Sequence, residues 1–238
     1  MVRIINVLEG GLVLFDPFRE YAIEELIEQG YEIGTPWDAV SLFEEKVAEY
    51  AGSKYAVAID NCTDALFLCL KYLKCDEKDQ TITVPKKTYV SVPMTIHNAG
   101  CKFDFEDLEW QGIYQLKPYP IYDSALRFTK GMYVQDSFQC LSFHRKKVLK
   151  LTKGGMILTN DLAAAEWFKT VRAKGRHPHK DTLYTNEVFT EMGWNMYMPP
   201  EYAARGLLIF NQLPEENKDA GGSNLYHDLA KQPVFGGI

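Results

Sequence analysis

The chain has 238 residues, of which 46% are hydrophobic and 24% charged, with a formal net charge of −6. This length can bury a full core in one large domain, or in one domain with an appendage, and an acidic balance without a basic stripe argues against a nucleic-acid surface. The five cysteines (Cys62, Cys69, Cys75, Cys101, Cys140) are scattered, with no Cys-x-x-Cys pair, which fits a reducing cytoplasm rather than a disulfide framework or a zinc site. No apolar run approaches the ~20 residues of a membrane helix, and the N-terminus reads as lacking a signal-peptide core.

In chain order, Pro17 to Gln29 reads as a helix stopped by Gly30, with Ile23, Leu26 and Ile27 on one side. A second helix runs from about Asp38 to Ala51 and ends at Gly52. Tyr55 to Ile59 has strand length and breaks into Asp60-Asn61-Cys62-Thr63, which opens a helix apolar at Leu66, Cys69, Leu70 and Leu73. Strands are expected at Thr81–Val84, Cys101–Phe105, Tyr119–Tyr122, Cys140–Phe143 and Met156–Thr159. Helices are expected from about Asp161 to Lys174, opened by Asn160 and closed by Gly175, and from about Pro200 to Asn211. The alternation predicts a three-layer α/β/α fold with a mainly parallel sheet. The domain is expected over residues 1–212. Residues 213–238 form a polar, Gly-rich tail with weak periodicity, expected to be ordered only by contact with something else.

In open α/β sheets ligands bind at the carboxyl ends of strands, so the residues following each strand carry the chemistry. Asn61, Cys62 and Thr63 open a helix whose free N–H groups suit a phosphate, although a threonine there also serves as a plain cap. Thr88-Tyr89 places an aromatic able either to stack on a flat ring or to pack as an ordinary tyrosine. Asp123 ends a strand, either as a turn residue or as a partner for a protonated pyridine nitrogen. Ser142 and Lys147 share one strand-to-loop segment, Ser142-Phe-His-Arg-Lys-Lys147, followed by Gly154-Gly155. A lysine held at a strand edge can lose its proton and become a nucleophilic amine, as a Schiff-base lysine must. In this order the segments supply a phosphate cup, a ring stacker, a pyridinium partner and a lysine, the parts that pyridoxal 5′-phosphate (PLP) requires. Arg145 and Lys146 read either as contacts for a substrate anion or as like charges that depress Lys147. His177-Pro-His179 reads as a loop, and no metal site is expected. Arg172 and Arg176 read as complements to a helix C-terminus.

Several stretches resemble the DegT–DnrJ–StrS family of sugar aminotransferases. They are Phe43-Glu44 through Glu49-Tyr-Ala-Gly52, Asn61-Cys-Thr-Asp-Ala-Leu66, Thr88-Tyr89, Ala99-Gly100, Asp123-Ser-Ala125, Ser142-Phe-His144 with Lys147 and Gly154-Gly155, Gly193-Trp-Asn195-Met-Tyr-Met198 and Ala203-Ala204. The resemblance implies the large domain of PLP-dependent transferase fold type I, with Lys147 and Asp123 catalytic. It implies that Lys147 carries the cofactor and moves the substrate proton, that Asp123 pairs with the pyridine nitrogen, and that Tyr89 stacks on the ring. Asn61, Cys62, Thr63 and Ser142 would bind the phosphate, and Asn195 would reach the phosphate of a neighbouring subunit in a homodimer. An amino acid donor such as glutamate and a keto or aldehyde acceptor would react in turn. A PLP-dependent lyase, racemase or decarboxylase, or a non-catalytic PLP-binding relic, is the alternative. Three departures stand out. Leu126 replaces the family's usual Gln or His, the segment from Phe105 to Asp123 is short, and most of the small C-terminal domain expected after Gln212 is missing.

Overall fold

The computed structural model describes residues 7–8, 11–12, 21–176 and 189–236. Five strands form the main sheet: β3 (Tyr55–Ile59), β9 (Gly155–Thr159), β8 (Phe138–Ser142), β7 (Ile121–Asp123) and β6 (Tyr114–Gln115), in that spatial order. A separate parallel pair consists of β4 (Ile82–Pro85) and β5 (Phe103–Glu106), and a bridge from Thr83 to Lys117 ties it to the chain just after β6. A short ribbon, β1 (Val7–Leu8) with β2 (Gly11–Leu12), stands apart. The expected α/β class is present, but the main sheet is mixed rather than mainly parallel. Within it only β7 and β8 run parallel, because β9 is inserted antiparallel between β3 and β8 and β6 returns antiparallel to β7. A hairpin-like connection between β8 and β9 reverses the chain where a crossover helix would have kept it parallel.

Helices cover both faces. On one side lie α3 (Cys62–Tyr72), α4 (Ser91–Asn98) and α5 (Leu162–Val171), packed on Val57, Ile59, Cys140 and Ile157. On the other lie α1 (Tyr21–Glu28), α2 (Pro36–Ala51) and α6 (Pro200–Phe210), packed on Ala56, Ala58, Leu141, Met156 and Leu158. Successive strand residues thus enter opposite cores, which is why β3 and β9 are continuously apolar in sequence instead of alternating. Sequence reasoning missed α4, whose eight residues carry Pro93 and the β-branched Val92, Thr95 and Ile96. The α5 cap is Asp161, not Asn160, since the Asp161 carboxylate accepts from the Ala164 N–H at 3.1 Å.

Two further expectations change. Arg172 does not decorate a helix end at the surface. It is 5% exposed, and its guanidinium donates to the Ala58 carbonyl at 2.6 Å and to the equally buried Glu44 carboxylate. The tail needs no outside partner to order it, because its backbone is pinned to the domain. Ala220 N–H donates to the Leu126 carbonyl at 2.7 Å, Gly112 to Gly221 at 3.0 Å, Ser223 to Trp110 at 3.0 Å and Leu229 to Lys86 at 2.8 Å. Arg127 grips Asp219 through two hydrogen bonds of 2.9 and 2.7 Å, and Phe235 packs edge-on against Phe103 and Phe105. Few apolar residues are needed for this order, which is why hydropathy alone gave no sign of it.

Candidate active site

The strand registers bring the site together. Ile59 pairs with Gly155, Ser142 pairs with the same Gly155, and Asp123 pairs with Cys140 two residues earlier on β8. The carboxyl ends of β3, β7 and β8 therefore meet at one edge of the sheet, with the start of α3 and the β8–β9 connection above them. Gly155 permits this approach. A Cβ there would lie 2.4 Å from the Asn61 carbonyl carbon and 2.7 Å from the Cys62 nitrogen, so any side chain would push the first turn of α3 off the sheet. Gly155 thus makes room for a helix N-terminus. Gly193 has a parallel role at the Gly-Trp-Asn stretch, where a Cβ would lie 2.1 Å from the Gly175 nitrogen.

At the α3 N-terminus the Asn61 side chain accepts from Asp64 N–H at 2.9 Å and donates to the Asp64 carboxylate at 2.7 Å, so it is occupied as a cap. The first intrahelical bond runs from Ala65 N–H to the Asn61 carbonyl, which leaves the N–H groups of Cys62 and Thr63 without helical partners. The Thr63 and Ser91 hydroxyls share a hydrogen bond of 2.7 Å. Ser142, the last residue of β8, receives only a long 3.5 Å contact from the His144 N–H. Lys147 follows on a turn closed by its own N–H to the His144 carbonyl at 2.8 Å.

Asp123 is 6% exposed. One carboxylate oxygen accepts from the Ala125 N–H at 2.9 Å, and the other from the Tyr114 hydroxyl at 2.7 Å. Tyr114 in turn shares a 2.6 Å bond with the Thr88 hydroxyl. Burial pushes the Asp123 carboxyl above its ordinary range, while the Ala125 N–H, the Tyr114 hydroxyl and the Lys147 charge pull it back. Burial likewise pushes the Lys147 amine below the ordinary lysine value, against the charges of Asp123 and Cys62 and with help from Lys146. Cys62 feels Asp123, Cys140 and Lys147, and burial holds its thiol well above the usual range, so it is neutral packing rather than a nucleophile. Asp123 and Lys147 are thus close enough for their charges to act on one another.

Tyr114 was not anticipated from the sequence. It lies on β6, in the short Phe105–Asp123 segment, where a two-residue strand fills the sheet edge next to β7. No sequence signal pointed to it, because only the antiparallel pairing of β6 with β7 sets Tyr114 directly opposite Asp123. A Tyr114→Phe protein is expected to lose about 1–3 kcal/mol of stability, because a buried carboxylate oxygen loses its donor, and its Asp123 carboxyl should titrate higher still. Denaturant unfolding followed across pH checks both.

Tyr89 is 57% exposed, and its ring meets Tyr226 of the tail edge-on at 6.4 Å. Leu126, at the departed family position, is a buried core residue whose carbonyl holds the tail. Asn195 is exposed on an extended segment bridged to Ala173, and the next residue, Met196, accepts from the Asp60 N–H at 2.8 Å just ahead of α3. His177 and His179 fall outside the described residues, among which no group of three or more His, Cys, Asp or Glu is placed to hold a metal. Two surface concavities, of about 170 Å³ beside Glu44 and Lys169 and about 290 Å³ beside Arg145 and Arg205, border neither Asp123 nor Lys147. No helix among the described residues is long and apolar enough to cross a membrane.

A three-layer α/β domain with a lysine, a buried carboxylate and a helix N-terminus at one sheet edge is the large domain of PLP-dependent transferase fold type I. It superposes on AtS13 from Actinomadura melliaura with a TM-score of 0.67 at 19% identity, over 84% of this chain and 66% of that one. It also superposes on NtdA from Bacillus subtilis with bound cofactor PMP, with a TM-score of 0.63 at 17% identity, over 81% of this chain and 52% of that one. The chain belongs to the DegT/DnrJ/EryC1/StrS aminotransferase family, whose model matches residues 18–132 and 131–221. Among curated relatives it is 24% identical to GDP-perosamine synthase of Caulobacter vibrioides, in an alignment that covers 73% of this chain and 56% of that protein. The chain therefore spans little more than half the length of that relative.

Proposed function

We propose that the chain is a PLP-dependent aminotransferase that moves an amino group from an amino acid donor, glutamate or a similar one, to a keto or aldehyde acceptor. The observation that carries this reading is the convergence of buried Asp123, the depressed Lys147 amine and the open α3 N-terminus at one strand edge. The residues fit the cofactor: an anion-binding helix end, two hydroxyls, a carboxylate and an amine each answer to one of its groups. The Cys62 and Thr63 N–H groups with the Thr63 and Ser142 hydroxyls would hold the phosphate, Asp123 the pyridine nitrogen, and the exposed Tyr89 ring one face. When bound, PLP supplies an electron sink for charge developing at the donor's α-carbon.

The chain's own residues do the rest. Ala125 N–H and the Tyr114 hydroxyl fix the Asp123 carboxylate, so that it could pair with a pyridine nitrogen without reorienting. Lys147 Nζ, neutral at lower pH than an ordinary lysine, would hold the cofactor and could accept the substrate's proton as general base. Asn195, exposed on its own chain, would serve the partner's site in a homodimer. Five free cysteines fit the reducing cytoplasm.

The test is a half-reaction. PLP-loaded protein given L-glutamate and no acceptor is expected to release one 2-oxoglutarate per site and then stop, resuming when an oxo acceptor is added. Release of carbon dioxide or ammonia, or formation of D-glutamate, would instead assign one of the other PLP chemistries.

A further inference from the structure

The C-terminal tail carries an aromatic side chain into the site just described. Tyr226 stacks on Trp110 with ring centroids 5.9 Å apart and planes 22° off parallel. Trp110 packs at 4.7 Å on Tyr114, the residue that donates to Asp123, and Tyr226 also meets the Tyr89 ring at 6.4 Å. The four rings of Tyr89, Tyr226, Trp110 and Tyr114 thus form a continuous aromatic wall ending at the buried carboxylate. The Tyr226 phenol lies near enough to Asp123 and Cys62 to feel both. Burial first, and then the Asp123 charge, push it up to about 12, so it stays a neutral hydroxyl.

The placement of Tyr226 is held on both sides. Upstream, Asp219 takes the two-point grip of Arg127, and Gly221 and Ser223 pair with the backbone of Gly112 and Trp110. The Ser223 hydroxyl also bonds Glu109. Downstream, Asp228 faces Lys86 at 3.7 Å and Leu229 N–H reaches the Lys86 carbonyl. Only the partly buried ring between these anchors faces Tyr89.

We propose that Tyr226, delivered by the tail, is a cofactor-binding residue of this site, forming with Tyr89 an aromatic flank for a planar, phosphate-bearing pyridine ring. An aromatic wall whose Tyr226 hydroxyl is uncharged suits such a ligand, because it adds dispersion contact without placing a competing charge beside Asp123. The tail strap then serves as a fixed side of the site built from the chain itself. The inference rests on the PLP reading above.

Equilibrium dialysis of PLP against the full chain tests it, with circular dichroism and melting curves to establish that each variant is folded. Tyr226→Ala is expected to weaken PLP binding about tenfold, the scale of one lost aromatic contact, and Tyr226→Phe to stay close to wild type. Arg127→Ala, which releases the strap while keeping the Tyr226 ring, is expected to weaken binding in the same direction. Asn224→Ala, at an exposed neighbouring position, is expected to change nothing. Unchanged affinity in folded Tyr226→Ala would overturn the proposal, and tighter binding would overturn it by showing that the ring obstructs the site. Wild-type affinity in Arg127→Ala would overturn the role given to the strap. If wild-type protein itself binds no PLP, the functional reading fails together with this one, whereas wild-type binding unaffected by Tyr226→Ala sinks this proposal alone.

Discussion

Replacing Lys147 with alanine is expected to abolish covalent capture of PLP and to slow the glutamate half-reaction by about 10²–10⁴-fold or more, since the group that both tethers the cofactor and transfers the proton is gone. Borohydride reduction followed by peptide mapping should find the pyridoxyl mass on Lys147 of the wild type and on no other lysine. The pH dependence has a definite sign. Burial lowers the Lys147 pKa in the folded protein relative to the unfolded chain, whose lysine titrates near about 10.4. The folded state therefore binds fewer protons at this position between the two values. Capture should then persist to lower pH than for surface lysines, and this group's contribution to stability should rise with pH through the same window. A Lys147→Ala protein that still released 2-oxoglutarate at the wild-type rate would remove the lysine from the mechanism.

The largest stability effect is expected at Glu44. Its carboxylate accepts the Ala58 N–H at 2.8 Å and the Arg172 guanidinium, and it faces Lys169 at 3.2 Å. The group is 4% exposed and Arg172 is 5% exposed. Glu44→Ala leaves a buried guanidinium without its carboxylate and a strand N–H without an acceptor, so a loss of about 3–5 kcal/mol is expected. Paired removal, Glu44→Ala with Arg172→Met, should cost much less than the single change, because no orphaned charge remains inside. Guanidinium unfolding midpoints of the three proteins measure this. A single-variant loss within about 0.5 kcal/mol, the scale of an ordinary surface change, would show that the pair does not fasten α2 to β3 and α5. This network also gives the Phe43-Glu44 stretch a physical role: the phenylalanine fills the core and the glutamate ties three elements together.

Much of this was legible beforehand because it is local. The 3.6-residue spacing of Val40, Phe43 and Val47 and the stop at Gly52 give a helix from about Asp38 to Ala51; α2 is Pro36–Ala51, so its end agrees and its start, capped at Thr35, lies two residues earlier. The strand at Tyr55–Ile59 and the helix starting at Cys62 follow from an apolar run ending in a cap residue. The short helix α4, the two-residue β6 and the capping of α5 by Asp161 were missed, because elements of a few residues carry too little periodicity to rise above the surrounding loops.

The sequence by itself determined the order of chemical parts: a helix N-terminus after the first core strand, a carboxylate after β7, and a hydroxyl and an amine after β8. Only the tertiary structure decided their company. The antiparallel insertion of β9 put Gly155 against Asn61–Cys62, the register of β6 set Tyr114 opposite Asp123, and the Arg127–Asp219 grip laid the tail so that Tyr226 faces Tyr89. Each of these depends on pairing between residues distant in the chain. Long-range pairing leaves no period in the sequence, because it is selected by the fit of whole faces and not by the preference of any one residue.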